Sequence, residues 1–297
     1  MSSAITNLTK IGYGASDPVD KFLNVMDFDL GVSKSLKDTN GIRGTFFKDG
    51  NRFRHNRTTV EPRFRCEPTA AELAPLLEWI MGGTPTGSGT ITYPWSNTTA
   101  TRYVHIAPVA GEEFGLSGVG VDTASFSAAS GDSLTLSLGL LGQTAIDTES
   151  SFPNLTPDQT SQPFLLSDLA LTFGGSTRSV RQFTIEVNRG LDRSRFLNSL
   201  TLTRVQSLMA DFRITISVPS GDNASLWSAG IDGVAFTATF TNPNNNAALV
   251  LSSPDVRFQA QTPTFDPNAE GFLQITGELC RTSGTANPLT ITLNQGS

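Results

Sequence analysis

The chain predicts a mainly β protein built from two similar modules in tandem, each flanked by one short helix. Three observations carry this. Apolar residues alternate with polar ones over many short stretches, the period of strands half-buried in a sheet. Helical periodicity is convincing at one place in the first half. The alternating patterns also recur in order. Phe28-x-Leu30-x-Val32 returns as Leu169-x-Leu171-x-Phe173, Val60-x-Pro62-x-Phe64-x-Cys66 as Phe212-x-Ile214-x-Ile216-x-Val218, and Leu134-x-Leu136-x-x-x-Leu140 as Leu273-x-Ile275-x-x-x-Leu279. With 297 residues, two modules of about 140 each have room for a core.

In chain order, residues 1–25 are punctuated by Gly12, Gly14 and Pro18 without clear periodicity, and the expectation is an extended arm. The first module spans 26–147. Val25 to Ser33 alternates, Gly41 to Phe47 meets a turn at Lys48-Asp49-Gly50-Asn51, and Val60 to Cys66 alternates again. Thr69 followed by Glu72 is a capping box, and Leu73, Leu76, Leu77 and Ile80 follow at helical spacing until Gly82-Gly83 ends the run. Pro75 inside it predicts a bent or late-starting helix. Strands follow at Thr101 to Ala107, Gly118 to Ala128 and Ser133 to Leu141. A linker rich in Ser, Thr, Pro and Asp occupies 148–163, and the second module runs 164–297. Its strands fall at Gly233 to Thr241, Ala248 to Leu251, Val256 to Thr262 and Gly271 to Leu279, with a weaker helix after Ser220. Repeat spacing places a longer loop in this module near Asn188 to Arg204. Loop closure entropy grows only logarithmically, so such an insertion is cheap.

Composition narrows the function. Charged residues make up 16% and hydrophobic ones 38%, which fits a globular chain rather than a disordered one. No apolar run approaches a membrane span, and Met1 to Lys10 shows no signal-peptide pattern. Cys66 and Cys280 sit at apolar strand positions, one per half, and read as buried free thiols. Five glycosylation sequons, at Asn7, Asn56, Asn97, Asn154 and Asn223, then carry little weight. The net charge is −6, yet Lys48 to Arg65 and Arg178 to Arg213 are basic while Glu112-Glu113 and Asp147 to Asp158 are acidic. An acidic total argues against tight DNA binding, and separated patches of both signs fit self-association.

Catalytic chemistry finds little support. His55 and His105 are the two histidines and lie in different contexts. No zinc, calcium or metalloprotease spacing is present, and no cofactor is expected. Gly174-Gly175-Ser176-Thr177-Arg178 lacks the phosphate-loop spacing and reads as a turn. Asp27 and Asp29 share one strand face, whereas a glycosidase pair faces across a cleft. Trp79 and Trp227 fall in helix regions and read as core or interface anchors rather than as a sugar platform with Trp95.

The residues Ile11-Gly12-Tyr13-Gly14, Val25 to Leu30 with Lys34, Gly41-x-Arg43-Gly44, Thr58 to Pro68, the Ala70 to Ile80 helix, the Leu134 to Leu140 strand, and Phe183 to Arg189 with Asn198-Ser199 resemble the tail tube proteins of long-tailed bacteriophages. The resemblance implies two tail-tube-like β-sandwich or half-barrel modules. Such modules join edge to edge in sixes, so a tandem chain forms trimeric pseudo-hexameric rings, or alternatively plain hexamers, that stack into a tube. Six modules of about four inner strands each give a backbone diameter of roughly 50 Å, wide enough for duplex DNA to pass without specific binding. Tape-measure, tail terminator and distal tail or baseplate proteins are the partners implied. The place implied is the virion tail, with synthesis and assembly in the host bacterial cytoplasm. Lys48, Arg52, Arg54, Arg57, Arg189, Arg193 and Arg195 are the residues expected at ring-to-ring contacts. The alternative is a β-sandwich binding protein or distal tail component recognising carbohydrate or protein.

Overall fold

Alternating sequence becomes strand almost throughout. The computed structural model describes residues 10–38, 53–109, 112–146, 151–157, 161–219, 233–259, 271–284 and 286–296. The elements are β1 (Lys10–Gly14), β2 (Lys21–Phe22), β3 (Asp27–Asp29), β4 (Val32–Asp38), β5 (Phe53–Val60), β6 (Arg63–Cys66), α1 (Ala70–Met81), β7 (Thr86–Ser88), β8 (Thr90–Tyr93), β9 (Thr101–Val109), β10 (Glu112–Ala129), β11 (Thr135–Leu141) and β12 (Thr144–Ile146). The second half supplies β13 (Leu169–Phe173), β14 (Ser176–Arg178), β15 (Gln182–Asn188), β16 (Asp211–Pro219), β17 (Val234–Thr241), β18 (Ala248–Phe258), β19 (Phe272–Cys280) and β20 (Thr290–Asn294).

Antiparallel ladders join eight of these in the order β3-β6-β11-β10-β15-β16-β19-β18. The long strands β10 and β18 leave this sheet at their N-terminal ends and enter flanking sheets. β10 continues beside β9, β1 and β2, and β18 beside β17, β13 and β14 on one edge and β20, β8 and β7 on the other. Among the described residues no path of ladders returns to its starting strand, so the sheets are open and a single chain closes no barrel. β4 and β5 form a separate two-stranded ladder, and Val60 of β5 bridges to Gly142 beyond the end of β11.

The buried faces meet in one apolar cluster that runs through both halves, from Ile11 and Trp79 to Phe240 and Leu293. Helix α1 begins at Ala70 because the capping box forms as its spacing predicts. The Glu72 amide donates to Thr69 Oγ1, and the Thr69 amide donates to Glu72 Oε2 at 3.0 Å. Pro75 therefore sits inside a helix that does not start late. Leu73, Leu76, Leu77, Trp79 and Ile80 face the core, Trp79 Nε1 donates to the Val119 carbonyl, and Gly82 ends the helix at φ 71°.

Several elements differ from expectation. Residues 10–23 of the stretch expected as an arm are seated in the flanking sheet, with Ile11, Tyr13, Val19 and Leu23 buried. The predicted strand from Val25 to Ser33 is cut in two at Gly31. Ala248 to Leu251 and the start of the next predicted strand are one strand, because Pro254 falls where the β17–β18 register shifts and no ladder amide is needed. The Gly41 to Phe47 strand, the Lys48 to Asn51 turn and the helix after Ser220 lie outside the described residues.

Candidate assembly interface

The eight-stranded sheet crosses from one half to the other at the β10–β15 ladder, seven pairs from Thr123↔Asn188 to Ala129↔Gln182. Its surroundings show how such a junction is held. Immediately after β15, Asn188 Oδ1 accepts the Gly190 amide at 2.9 Å and Gly190 adopts φ 58°. The chain then turns back onto the first half. The Arg189 amide donates to the Asp122 carbonyl, the Leu191 amide to Asp122 Oδ1 at 2.7 Å, and Arg193 Nη2 to Asp122 Oδ2 at 2.6 Å. Leu191, Leu202 and Val205 pack with Leu141 in a second, small apolar cluster.

Arg189 is the anchor of this junction. It is 1% exposed, donates to the Ile80 and Ser96 carbonyls at 2.7 Å each, and its guanidinium lies under Trp95. The Ile80 carbonyl belongs to the last turn of α1, where the helix dipole is negative. Desolvation lowers the Arg189 pKa to about 10, far above neutrality, so the cation persists.

At the far end of the sheet β3 reproduces the local geometry of β15. Asp29 Oδ1 accepts the Gly31 amide at 3.0 Å, and Gly31 has φ 58°. A Cβ on Gly31 would meet the Glu61 carbonyl oxygen, and one on Gly190 the Met209 carbonyl oxygen, each two residues before the start of the neighbouring strand. The neighbouring order also matches, β6-β11-β10 beside β3 and β16-β19-β18 beside β15. The sequence repeat had matched Phe28-x-Leu30-x-Val32 to β13, but β13 pairs with β14 and β17. The strand in the place of β3 is β15.

The two ends are unlike in charge. One cross-strand row runs the whole width on the exposed face: Asp27, Arg65, Ser137, Ser125, Glu186, Arg213, Glu278, Arg257. It begins with a carboxylate and ends with a guanidinium. Among the described residues β3 has a ladder on one side only, to β6, and beside it Met26 is 54% exposed. On β18 the edge opposite β19 carries Val234 against Val256.

The residues expected at ring contacts are dispersed. Arg189 and Arg193 are engaged within the chain, Arg193 bridging Asp122 and Glu61. Arg195 donates to Gln206 Oε1 at 3.0 Å. Arg54 and Arg57 are exposed on β5, Arg57 lying 5.4 Å from the Phe196 ring centre. Lys48 and Arg52 lie outside the described residues, as does Trp227. A charged pair reaching one aspartate across 71 residues, Arg193 to Asp122, leaves no signal in sequence spacing.

Other polar candidates are structural in their surroundings. His105 is buried, with Nε2 at 2.8 Å from Glu113 Oε2 and its ring against Phe152. His55 lies on exposed β5, 3.1 Å from Thr58 Oγ1. Asp27 and Asp29 face Arg65 and Arg63 in the ladder and line an open groove of about 580 Å³ with Glu61, Asp122 and Arg193. Gly174 and Gly175 form the β13–β14 turn. Cys66 is buried, whereas Cys280 is partly exposed at the C-terminal end of β19, opposite Asp255. Among the described residues no cluster of His, Cys, Asp or Glu could hold a metal ion, and no helix is long and apolar enough to cross a membrane.

A wide open antiparallel sheet with one buried and one polar face marks the chain as a mainly β protein. The chain matches the family described as phage tail tube protein over residues 6–287, nearly its whole length, and it belongs to that family. No curated protein matches it. The family is one of structural virion components rather than enzymes.

Proposed function

We propose that the chain is a non-enzymatic building block that self-assembles into stacked rings forming the hollow tail tube, the channel through which genomic DNA leaves the virion. The observation that carries this is the eight-stranded sheet, whose strand β3 has a ladder on one side only among the described residues. Bare strand edges drive association, and closure into a ring removes them. Each half supplies four strands, so three chains give 24, the count at which strands tilted about 45° enclose roughly 50 Å. A trimeric, pseudo-hexameric ring follows, six chains per ring being the alternative. Arg54 and Arg57 on β5 and Arg195 in the 189–210 loop, together with Lys48 and Arg52, are the proposed stacking residues. Tape-measure, terminator and distal tail or baseplate proteins are the proposed partners at the ends of the tube. Assembly takes place in the host cytoplasm.

Negative-stain electron microscopy of the purified chain, fresh and concentrated, tests the reading. Hollow striated tubes or six-lobed rings are expected, and the mass per ring decides three chains against six. Particles that stay compact and monomeric at every concentration, including with a tail-initiation complex added, would overturn it.

A further inference from the structure

We propose that the pocket between residues 97–101 of the first half and 204–207 of the second binds a small oxyanion, a phosphate or a carboxylate, through Arg204. The site lies within one chain and stands whether or not chains form rings.

The pocket encloses about 420 Å³. Its two walls meet over Gly120 of β10, where an added Cβ would lie 2.7 Å from Thr99 Cγ2 and 2.8 Å from Val205 Cγ1. The second wall is tied down by Ser207, whose hydroxyl donates to the Arg189 carbonyl at 2.9 Å. The cradle is therefore held open by a missing side chain and fixed on the same turn that crosses the junction.

Its lining is rich in donors. Trp95 Nε1 donates to Asn97 Oδ1 at 3.3 Å, and Arg195 Nη1 donates to Gln206 Oε1 at 3.0 Å. Indole and guanidinium nitrogens can only donate, so both amide oxygens are taken and both amides have N–H groups to offer. Thr99 Oγ1 is buried without a hydrogen-bond partner. An unpaired buried hydroxyl is costly, and a ligand oxygen relieves it.

Charge sets the sign of the ligand. Arg204 is exposed, and among the described residues no carboxylate lines the pocket with it. Arg193, Arg213 and Arg257, by contrast, are ion-paired with Asp122, Asp211 and Asp255. Arg195 puts a second guanidinium behind Gln206. A cation is repelled here, and a neutral ligand leaves Arg204 unmatched. An oxyanion accepts from the planar guanidinium fork and from the amides at once.

The test is chemical protection of Arg204 in the purified chain. Phenylglyoxal modification is followed residue by residue by peptide mass spectrometry, first in a zwitterionic buffer and then with inorganic phosphate or acetate added. At least one anion is expected to slow Arg204 about tenfold once it is in tenfold excess over its Kd, while exposed Arg54 changes little. The stronger protector identifies the ligand as phosphate-like or carboxylate-like. Thr99→Val keeps the shape of the side chain and removes the orphan hydroxyl. It is expected to weaken protection about fivefold without lowering the urea midpoint, since no internal hydrogen bond is lost. Failure of both anions to protect, or equal slowing at Arg54, would overturn the site. So would full protection in Thr99→Val, or an Arg204 that resists the reagent before any anion is added.

Discussion

The Arg189 guanidinium lies 3.8 Å from the centre of the Trp95 ring and donates its two Nη groups to the carbonyls of Ser96 and Ile80. One residue of the second half thus closes the last turn of the first half's helix.

Replacing Arg189 by methionine keeps the stem volume but leaves two carbonyls without a donor, and the expected loss is about 3 kcal/mol. Arg189→Lys retains charge without the fork that serves both carbonyls, and falls between. Urea unfolding of the three proteins gives the order directly; equal midpoints would show that the anchor carries no stability.

Gly31 and Gly190 share a left-handed conformation but not the same free space. An added Cβ would lie 2.0 Å from the Glu61 carbonyl oxygen at Gly31, and 2.7 Å from that of Met209 at Gly190. Gly31→Ala is expected to lose about 3 kcal/mol and Gly190→Ala about 1 kcal/mol. Chemical denaturation that reverses this order would contradict the stated packing.

Thr69→Ala removes the hydroxyl that accepts the Glu72 amide, for an expected loss of about 1 kcal/mol, and Thr69→Ser restores most of it. Thermal melts of the pair are sufficient to separate capping from the loss of a methyl group.

The Cys66 thiol predicts a pH dependence. Burial, reinforced by the Glu72 and Glu67 carboxylates, pushes its pKa from 9.0 up to about 12. An unfolded chain ionises this thiol near 9 while the folded chain keeps the proton. Stability is therefore unaffected below that pH and falls by about 1.4 kcal/mol per unit between the two values. Tyr13, also raised by burial, adds a loss in the same direction at higher pH. The stability gap between wild type and Cys66→Ala should narrow as pH climbs above 9, measured by urea titration. At pH 8 a thiol reagent should modify Cys280 first and Cys66 only on unfolding.

What the sequence made legible was local. The α1 boundaries rest on Thr69, Glu72 and Gly82, all within one helix, and the alternation of β11, β16 and β19 is each strand's own. The family likeness spans such local patterns and survived intact. The correspondence of β3 with β15 was hidden because its marks are an Asx–Gly turn and a ladder neighbour, and Leu169 to Phe173 alternates just as well. The pairing of β8 with β20 joins residues some 200 positions apart, and nothing in either strand names the other. Arg189 was visible as a basic residue, but its acceptors are backbone carbonyls, which sequence does not distinguish. Gly118, at φ 60° where β10 shifts register, looked like a strand start rather than the middle of one.

The cross-strand row from Glu186 to Arg257 changes sign at every strand, about 4.8 Å apart. A periodic array of this kind cancels its own field within roughly one repeat above the surface, since each charge is screened by its neighbours before water or salt is needed. A charged group a few ångströms above that row meets neither a deep electrostatic trap nor a strong repulsion, while the row itself stays hydrated.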